Sequence, residues 1–325
     1  MIVDDIAYGR IGIKNRLILD LINSRAVQRL RGIHQHGSWK YIFPHDHATR
    51  LDHSIGVFHL LRHFRAGLEE QAAGLIHDVP HTAFSHVIDY VYDQRETMEY
   101  HEGLHERVVM NSDIAGILES HGMDARRITD HANFPLLERP IPDLCCDRLD
   151  YFFRDAVQLG ICSREDIGLF IKQLVVRDNE IVCSEPAAAK EMAIAYLECS
   201  ERWWASPLQA ASFELMAMAI KAGLERGFIC EYDLMLTDDE VYGKLMGSGD
   251  GEITKRLGLV RPDLKVEVNP GDYDFFTRTK ARFIDPKVLA GGVERVSGIY
   301  PDFRERIKGF RERIAKGYHI KILSP

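Results

Sequence analysis

Residues 71–89 read QAAGLIHDVPHTAFSHVID, an apolar helical run that ends in a His-Asp pair, His77 and Asp78, with two more histidines close behind. Ala72, Ala73, Leu75 and Ile76 mark the run as a buried helix, and the thirteen residues that follow supply His77, Asp78, His81, His86 and Asp89. So many polar groups beside an apolar run have to be paired or put to use, because burying them unpartnered is costly. Imidazole and carboxylate together suit a hard or borderline divalent cation, and a His-Asp dipeptide at the end of a buried helix offers both donor types to one ion. The stretch predicts a helical fold organised around a metal-ligating centre.

Working outward, a chain of 325 residues, 46% of them hydrophobic, can bury a sizeable core as one large domain or as a main domain with an appendage. No apolar stretch approaches the roughly 18–20 residues of a membrane span. The opening MIVDDIAYGR has neither a signal nor a transit pattern, so the expectation is a soluble, cytoplasmic protein with no membrane partner. The six cysteines (Cys145, Cys146, Cys162, Cys183, Cys199, Cys230) form no CxxC pair and read as reduced, buried thiols rather than a disulfide framework or zinc knuckle. Forty-nine acidic residues against 41 basic ones give a formal charge of −8, which argues against nucleic acid or anionic lipid as a partner, local basic pockets aside.

Upstream, IVDDIAYGRIGI alternates as a short hairpin with Gly9 near its turn, and Asn15 can cap a helix carrying Leu17, Leu19, Leu21 and Ile22. A loop from Gln35 to about Thr49 holds a second His-Asp dipeptide, His45-Asp46 with His47; Pro44 precedes it and no buried helix supports it, so it reads as a solvated loop. LDHSIGVFHLLRHF is a buried helix with His53 at its mouth, which is either a cap or a ligand. EYHEGLHERVVM (99–110) reads as a helix with His101 and His105 on one face, one toward the cleft and the other solvated. In DLCCDRLDYFFRDAVQLG, Asp143 is a plausible cap and Gly160 a stop, and Asp147, Tyr151 and Asp155 share a face flanked by Arg148 and Arg154. Spacing alone leaves that face as either an ion-paired surface or the wall of a polar pocket.

Further on, Ser163 opens a helix, Asp178 and Asn179 sit at a hairpin turn, and Ser184 and Pro186 start a helix running to about Trp204. An Ala- and Met-rich core helix covers 208–226, Thr237 and Glu240 form a capping-box pattern, and MGSGDGE (246–252) reads as a linker. KVEVN and FFTRTKARFI alternate like strands before a final amphipathic helix whose basic face reads as solvated.

His53, then His77-Asp78, then Asp147 resemble the H…HD…D signature of the HD-domain metal-dependent phosphohydrolases. The words QRLRGIHQHG, TRLDHSIGV, AGLIHDVPHTAFSHVID and DRLDYFFRDAVQLG are similar to the deoxynucleoside triphosphate triphosphohydrolase branch, over roughly residues 5–235. The resemblance implies a mainly α HD-domain fold with short β-hairpins, a core at 1–235 and a small α+β region at 236–325. It implies a divalent cation (Mn, Mg, Fe, Ni, Co or Zn) held by His53, His77, Asp78 and Asp147. It implies catalytic roles for His81, His86 and His101, with Asp89 orienting His86, and a carboxylate-held imidazole of that kind is expected to stay protonated and serve as general acid. Phosphate contacts fall to Arg50, Arg148 and Arg202, and sugar contacts to Gln35, Tyr151 and Asp155. The chain departs from the pattern at Arg148, which stands where the family has a lysine, and at Trp204-Ala205-Ser206, where the family often reads Tyr-x-His.

The expected activity is therefore metal-dependent hydrolysis of a nucleotide phosphoester, foremost a (deoxy)nucleoside triphosphate to nucleoside and triphosphate, in a homo-oligomer. The rivals are a 5′-nucleotidase, a nuclease or phosphodiesterase on the same metal site, which would need a longer groove, and a non-catalytic nucleotide-binding regulator, which Trp204 and Ser206 would suit.

Overall fold

The computed structural model describes residues 1–45 and 48–323, where helices predominate over three small sheets, as expected of a mainly α fold. Strands β1 (Ile2–Asp5) and β2 (Gly9–Gly12) pair as the opening hairpin, and Asn15 caps α1 (Arg16–Ile22) by accepting the Ile18 N–H at 3.2 Å. Helices α2 (Arg50–His63) and α3 (Leu68–Ile76) follow, then the short α4 (Val87–Val91). A capping box between Thr49 and Asp52 fixes the start of α2 and thereby the position of His53 one residue later.

Helix α5 (Cys146–Gln158) packs across α2, and two glycines set how closely these helices approach. A Cβ at Gly56 would lie 1.8 Å from Asp150 Oδ1, and one at Gly74 would lie 2.2 Å from Leu61 Cδ1. Where α5 and α3 press on α2 there is no room for a side chain, and that contact brings the chemistry-bearing ends of all three together.

The hairpin of β3 (Leu174–Arg177) and β4 (Glu180–Cys183) turns through Asp178 and Asn179 at φ +51° and +59°, the geometry for which those residue types are suited. Helix α6 (Pro186–Cys199) runs into a π-helical turn over Ser200–Trp204, and Ser206 caps the long α7 (Pro207–Glu225). Strand β5 (Val266–Val268) and β6 (Phe275–Thr277) flank the last strand, β9 (Tyr318–Ile322). Strands β7 (Lys287–Leu289) and β8 (Val293–Arg295) extend the β3–β4 sheet, with β7 parallel to β4, before α8 (Pro301–Ala315). Residue Asp238, from the same late region, is fully buried and accepts the His34 and Phe84 N–H groups.

Several local expectations are corrected. Asp143 does not cap α5: Leu144 bridges to Ile181, keeping the chain extended, and the Asp143 carboxylate accepts from Arg295 at 2.6 Å. Residues 99–110 are not one helix but a 3-10 turn (Glu102–Leu104) followed by a helix from His105, so His101 and His105 part company. His105 is buried rather than solvated, with Nε2 3.2 Å from the Ile76 carbonyl. The linker shrinks to residues 248–250, because Asp250 caps a further helix from Gly251. All six cysteines are free thiols, but Cys230 is exposed. Of the second His-Asp dipeptide, His45 is exposed, while Asp46 and His47 lie outside the described residues.

Candidate metal centre and catalytic pocket

Helix α2 presents His53, the C-terminal end of α3 presents His77 and Asp78, and α5 presents Asp147 to one point. His53 Nε2 lies 2.8 Å from Asp147 Oδ1, and His77 Nε2 lies 3.4 Å from the same oxygen. One ligand-capable atom from each of these three residues lies within 4.8 Å of the other two. Asp78 borders the group: Oδ1 is 3.4 Å from His77 Nε2, while Oδ2 accepts from Arg50 at 2.9 Å.

The donor set fits a divalent cation. Both imidazoles are held from behind, His53 by Nδ1 donating to Asp150 Oδ2 at 2.7 Å and His77 by Nδ1 donating to the Gly74 carbonyl at 2.7 Å. Each therefore turns Nε2 to the cluster, as a metal-ligating histidine does, and His77 Nε2 is buried with no hydrogen-bond partner. Burial alone would depress His53, but its hydrogen bonds to Asp147 and Asp150 push it up to about 10. Burial opposes ionisation of Asp147 as well, yet the same imidazoles hold it well below the usual carboxylate range. A cation bound here would displace the proton on His53 Nε2 and meet an Asp147 oxygen that is already anionic.

A second acidic group, Glu138, Cys145 and Asp147, lies alongside. Its cation is built in: Arg148 donates to Cys145 Sγ at 3.2 Å and to Glu138 at 3.4 Å.

Beyond the metal cluster stands a wall of histidines. His81 stacks on His101 with ring centroids 3.9 Å apart, and His86 meets both edge-on. His86 Nδ1 bonds Asp89 Oδ2 at 3.0 Å, and the buried Asp89 is steadied by the Tyr100 N–H at 3.0 Å. Asp89 thus sits behind His86, outside the cavity. The expected protonation is corrected: burial outweighs Asp89 and lowers His86 to about 4, so its imidazole is neutral at pH 7. Burial also depresses His81 and His101.

These side chains line a cavity of about 150 Å³ together with Gln35, Arg50, Arg148, Tyr151 and Asp155. Gln35 Oε1 is buried and without a partner, a polar atom available to a ligand. Tyr151 bonds Tyr196 through the two hydroxyls. Asp155 is engaged on both oxygens, accepting from His36 Nε2 at 2.9 Å and from Trp204 Nε1 at 2.7 Å. Arg202 is not brought to the pocket; it is exposed on its turn and pairs with Glu198 at 2.9 Å.

Sequence reasoning missed Asp150, His36, Glu138, Lys280 and Arg282. Asp150 lies one helical turn after Asp147, a spacing visible in DRLD. Lys280 and Arg282 line the pocket from the extended segment between β6 and β7. Their signal was the alternation of cations in TRTKAR, which puts residues two apart on the same side of an extended chain.

Comparison with known proteins agrees with this geometry. The HD domain family model matches residues 50–155. The chain is similar to the Bacillus subtilis uncharacterized protein YdhJ, 35% identical over 99% of each chain. It is similar to the metal-dependent phosphohydrolase cns2 of Cordyceps militaris, 31% identical over 90% of this chain and 86% of that one. Similarity to the Homo sapiens deoxynucleoside triphosphate triphosphohydrolase SAMHD1 is 27% identity over 56% of this chain and 38% of that protein.

Proposed function

Because this chain belongs to the HD-domain family of metal-dependent phosphohydrolases, we propose that its substrate is a nucleotide and that it cleaves a (deoxy)nucleoside triphosphate to nucleoside and triphosphate. The observation that carries this reading is the meeting, in one pocket, of the cluster His53, His77 and Asp147 with the imidazole wall and with Gln35, whose side-chain oxygen has no partner.

His53, His77 and Asp147 would hold the cation, with Asp78 available as a further ligand. When bound, a divalent cation supplies the Lewis acidity that polarises a phosphoryl oxygen and readies a water for attack at neutral pH. The P–O bond to the nucleoside breaks, and His86 delivers a proton to the departing oxygen. Since that imidazole is neutral in the free protein, the proton arrives with the substrate: phosphate negative charge beside His86 raises its pKa, and Asp89 then stabilises the imidazolium. His81 and His101 confine the approach, and Arg148 offsets the charge of Glu138.

A second reading is favoured by Asp155. With one donor already on each oxygen, from His36 and Trp204, it has less acceptor capacity left for a sugar, and Trp204 occupies the space beside it, which suits a smaller substrate such as a nucleoside monophosphate. The two readings part in one experiment. Protein supplied with manganese is given each dNTP, NTP and dNMP, products are separated by chromatography, and a His77→Ala variant serves as control. Nucleoside with intact triphosphate supports the first reading, and phosphate released only from monophosphates supports the second. No turnover of any nucleotide would reject both and point to an oligonucleotide or to a regulator that binds without cleaving.

A further inference from the structure

The pocket is lined by four arginine and lysine side chains, and two of them are already spent on the protein. Arg50 donates to Asp78 at 2.9 Å, Ser85 at 3.0 Å and the Gln35 carbonyl at 3.2 Å. Arg148 donates to the Asp143 carbonyl at 2.6 Å and to Cys145 and Glu138, keeping only Nε without a partner. Both expected phosphate contacts thus have their donors directed into the fold.

Lys280 and Arg282 differ. Among the described residues no carboxylate lies in ion-pair reach of either. Arg282 donates to the Met98 sulfur at 3.4 Å, a weak acceptor, and lies over the Tyr151 ring at 5.6 Å from its centroid. Two cations two residues apart, half-buried in one cavity, repel each other and have no carboxylate in direct contact; Glu102, Glu138 and Asp147 line the same cavity and act on them only at longer range. Burial and the neighbouring Arg282 accordingly hold the Lys280 ammonium below the usual lysine range. The charge of Arg282 reaches the reacting region, where it adds to the depression of His86. An anion placed between the two cations and His86 relieves each of these penalties at once.

We infer that Lys280 and Arg282 are the anion subsite of this pocket, binding the non-bridging oxygens of the substrate's phosphate group from the C-terminal region of the chain. The inference rests on the phosphoester reading above and supplies the phosphate contacts that Arg202 does not. Arginine's planar fork suits two phosphate oxygens, and the lysine adds a point charge. Arg278, one alternation earlier, does not line this cavity; it borders a neighbouring cleft of about 850 Å³, which Lys280 also borders, and it is already paired with Glu96, which makes it the natural control.

The test is calorimetric titration of the full-length protein with inorganic phosphate and with tripolyphosphate, alongside kcat and KM on whichever nucleotide is hydrolysed. Arg282→Gln and Lys280→Gln should each weaken phosphate binding by about tenfold, the loss of charge-assisted hydrogen bonds. KM should rise more than kcat falls, and Arg278→Gln should leave both unchanged. Arg282→Lys, which keeps the charge, should retain more affinity than Arg282→Gln and guards against misfolding of the glutamine variant. If no nucleotide is turned over but phosphate binding is still lost in the glutamine variants, the subsite stands and the nucleotide reading fails. Wild-type phosphate affinity in a folded Lys280→Gln/Arg282→Gln double variant, or no phosphate binding by the unaltered protein, would overturn the inference.

Discussion

Asp150→Asn tests how the metal centre is positioned. Asp150 touches no proposed ligand atom, yet its Oδ2 holds His53 Nδ1 at 2.7 Å while Oδ1 accepts the Tyr8 hydroxyl at 2.8 Å and Arg154 at 3.2 Å. Asparagine keeps the shape and one acceptor but removes the charge that favours an Nδ1–H tautomer and makes His53 Nε2 a stronger donor to a cation. Loss of such an outer carboxylate costs about 10–100-fold in metal affinity, or roughly 1.4–2.7 kcal/mol. The fold loses less than the roughly 3–5 kcal/mol of a buried ion pair broken outright, because Arg154 retains Asp5 at 3.0 Å; about 2 kcal/mol is expected. Manganese titration by calorimetry reads the first quantity and urea unfolding of the metal-free protein reads the second. A folded Asp150→Asn protein with unaltered manganese affinity would refute the argument that His53 is tuned from behind.

Three further outcomes follow from the same geometry. His77→Ala and Asp78→Ala should lose both bound metal, measured by elemental analysis, and turnover, whereas His86→Ala should keep the metal and lose about 10²–10⁴-fold in kcat. Gly56→Ala should destabilise by about 3 kcal/mol or more in urea unfolding, since its Cβ would sit 1.8 Å from Asp150 Oδ1, and a wild-type midpoint would contradict so close a helix contact. Burial lowers His59 to about 4 and His105 to about 3, so the unfolded chain binds these protons first; the contribution of these two imidazoles should be full above about pH 6.5 and fall as pH drops toward 4, by about 1.4 kcal/mol per pH unit for each proton taken up. Flat stability across that window would mean the two imidazoles are not buried as described.

The metal cluster was legible because its signals are local. A helical apolar run ending in His77-Asp78 is read within one window, and His53 and Asp147 follow once the pattern is recognised. What was missed depends on the approach of distant segments. Nothing near Asp150 in sequence says that His53, 97 residues earlier, leans on it. The spacing of His101 and His105 misled because the chain makes a 3-10 turn between them, which separates side chains that an α-helix would align. Arg202 misled because its partner, Glu198, sits one turn away and satisfies it locally. The protonation of His86 turned on a competition between burial and a carboxylate, and sequence displays only the carboxylate.

The N-terminal hairpin reaches the pocket through a relay and the C-terminal region lines it directly, and this gives each a different part in its chemistry. From the N-terminal hairpin, Asp5 holds Arg154, Arg154 holds Asp150, and Asp150 holds His53, so a line of buried charge runs from β1 to the metal cluster. Every member of that line is fully paired inside the fold, so it resists movement and suits the fixing of ligand geometry. From the C-terminal region, Lys280 and Arg282 reach the cavity on an extended segment without a direct ion pair among the described residues, so their interactions are left to be completed by a ligand. Substitutions along the N-terminal line should therefore register in metal affinity and stability, and substitutions in the C-terminal arm in KM and anion affinity. The two sets should combine additively when they are paired in one chain, because they share no partner. Strong non-additivity between Asp150→Asn and Arg282→Gln in phosphate binding would show instead that metal geometry and anion subsite form a single unit.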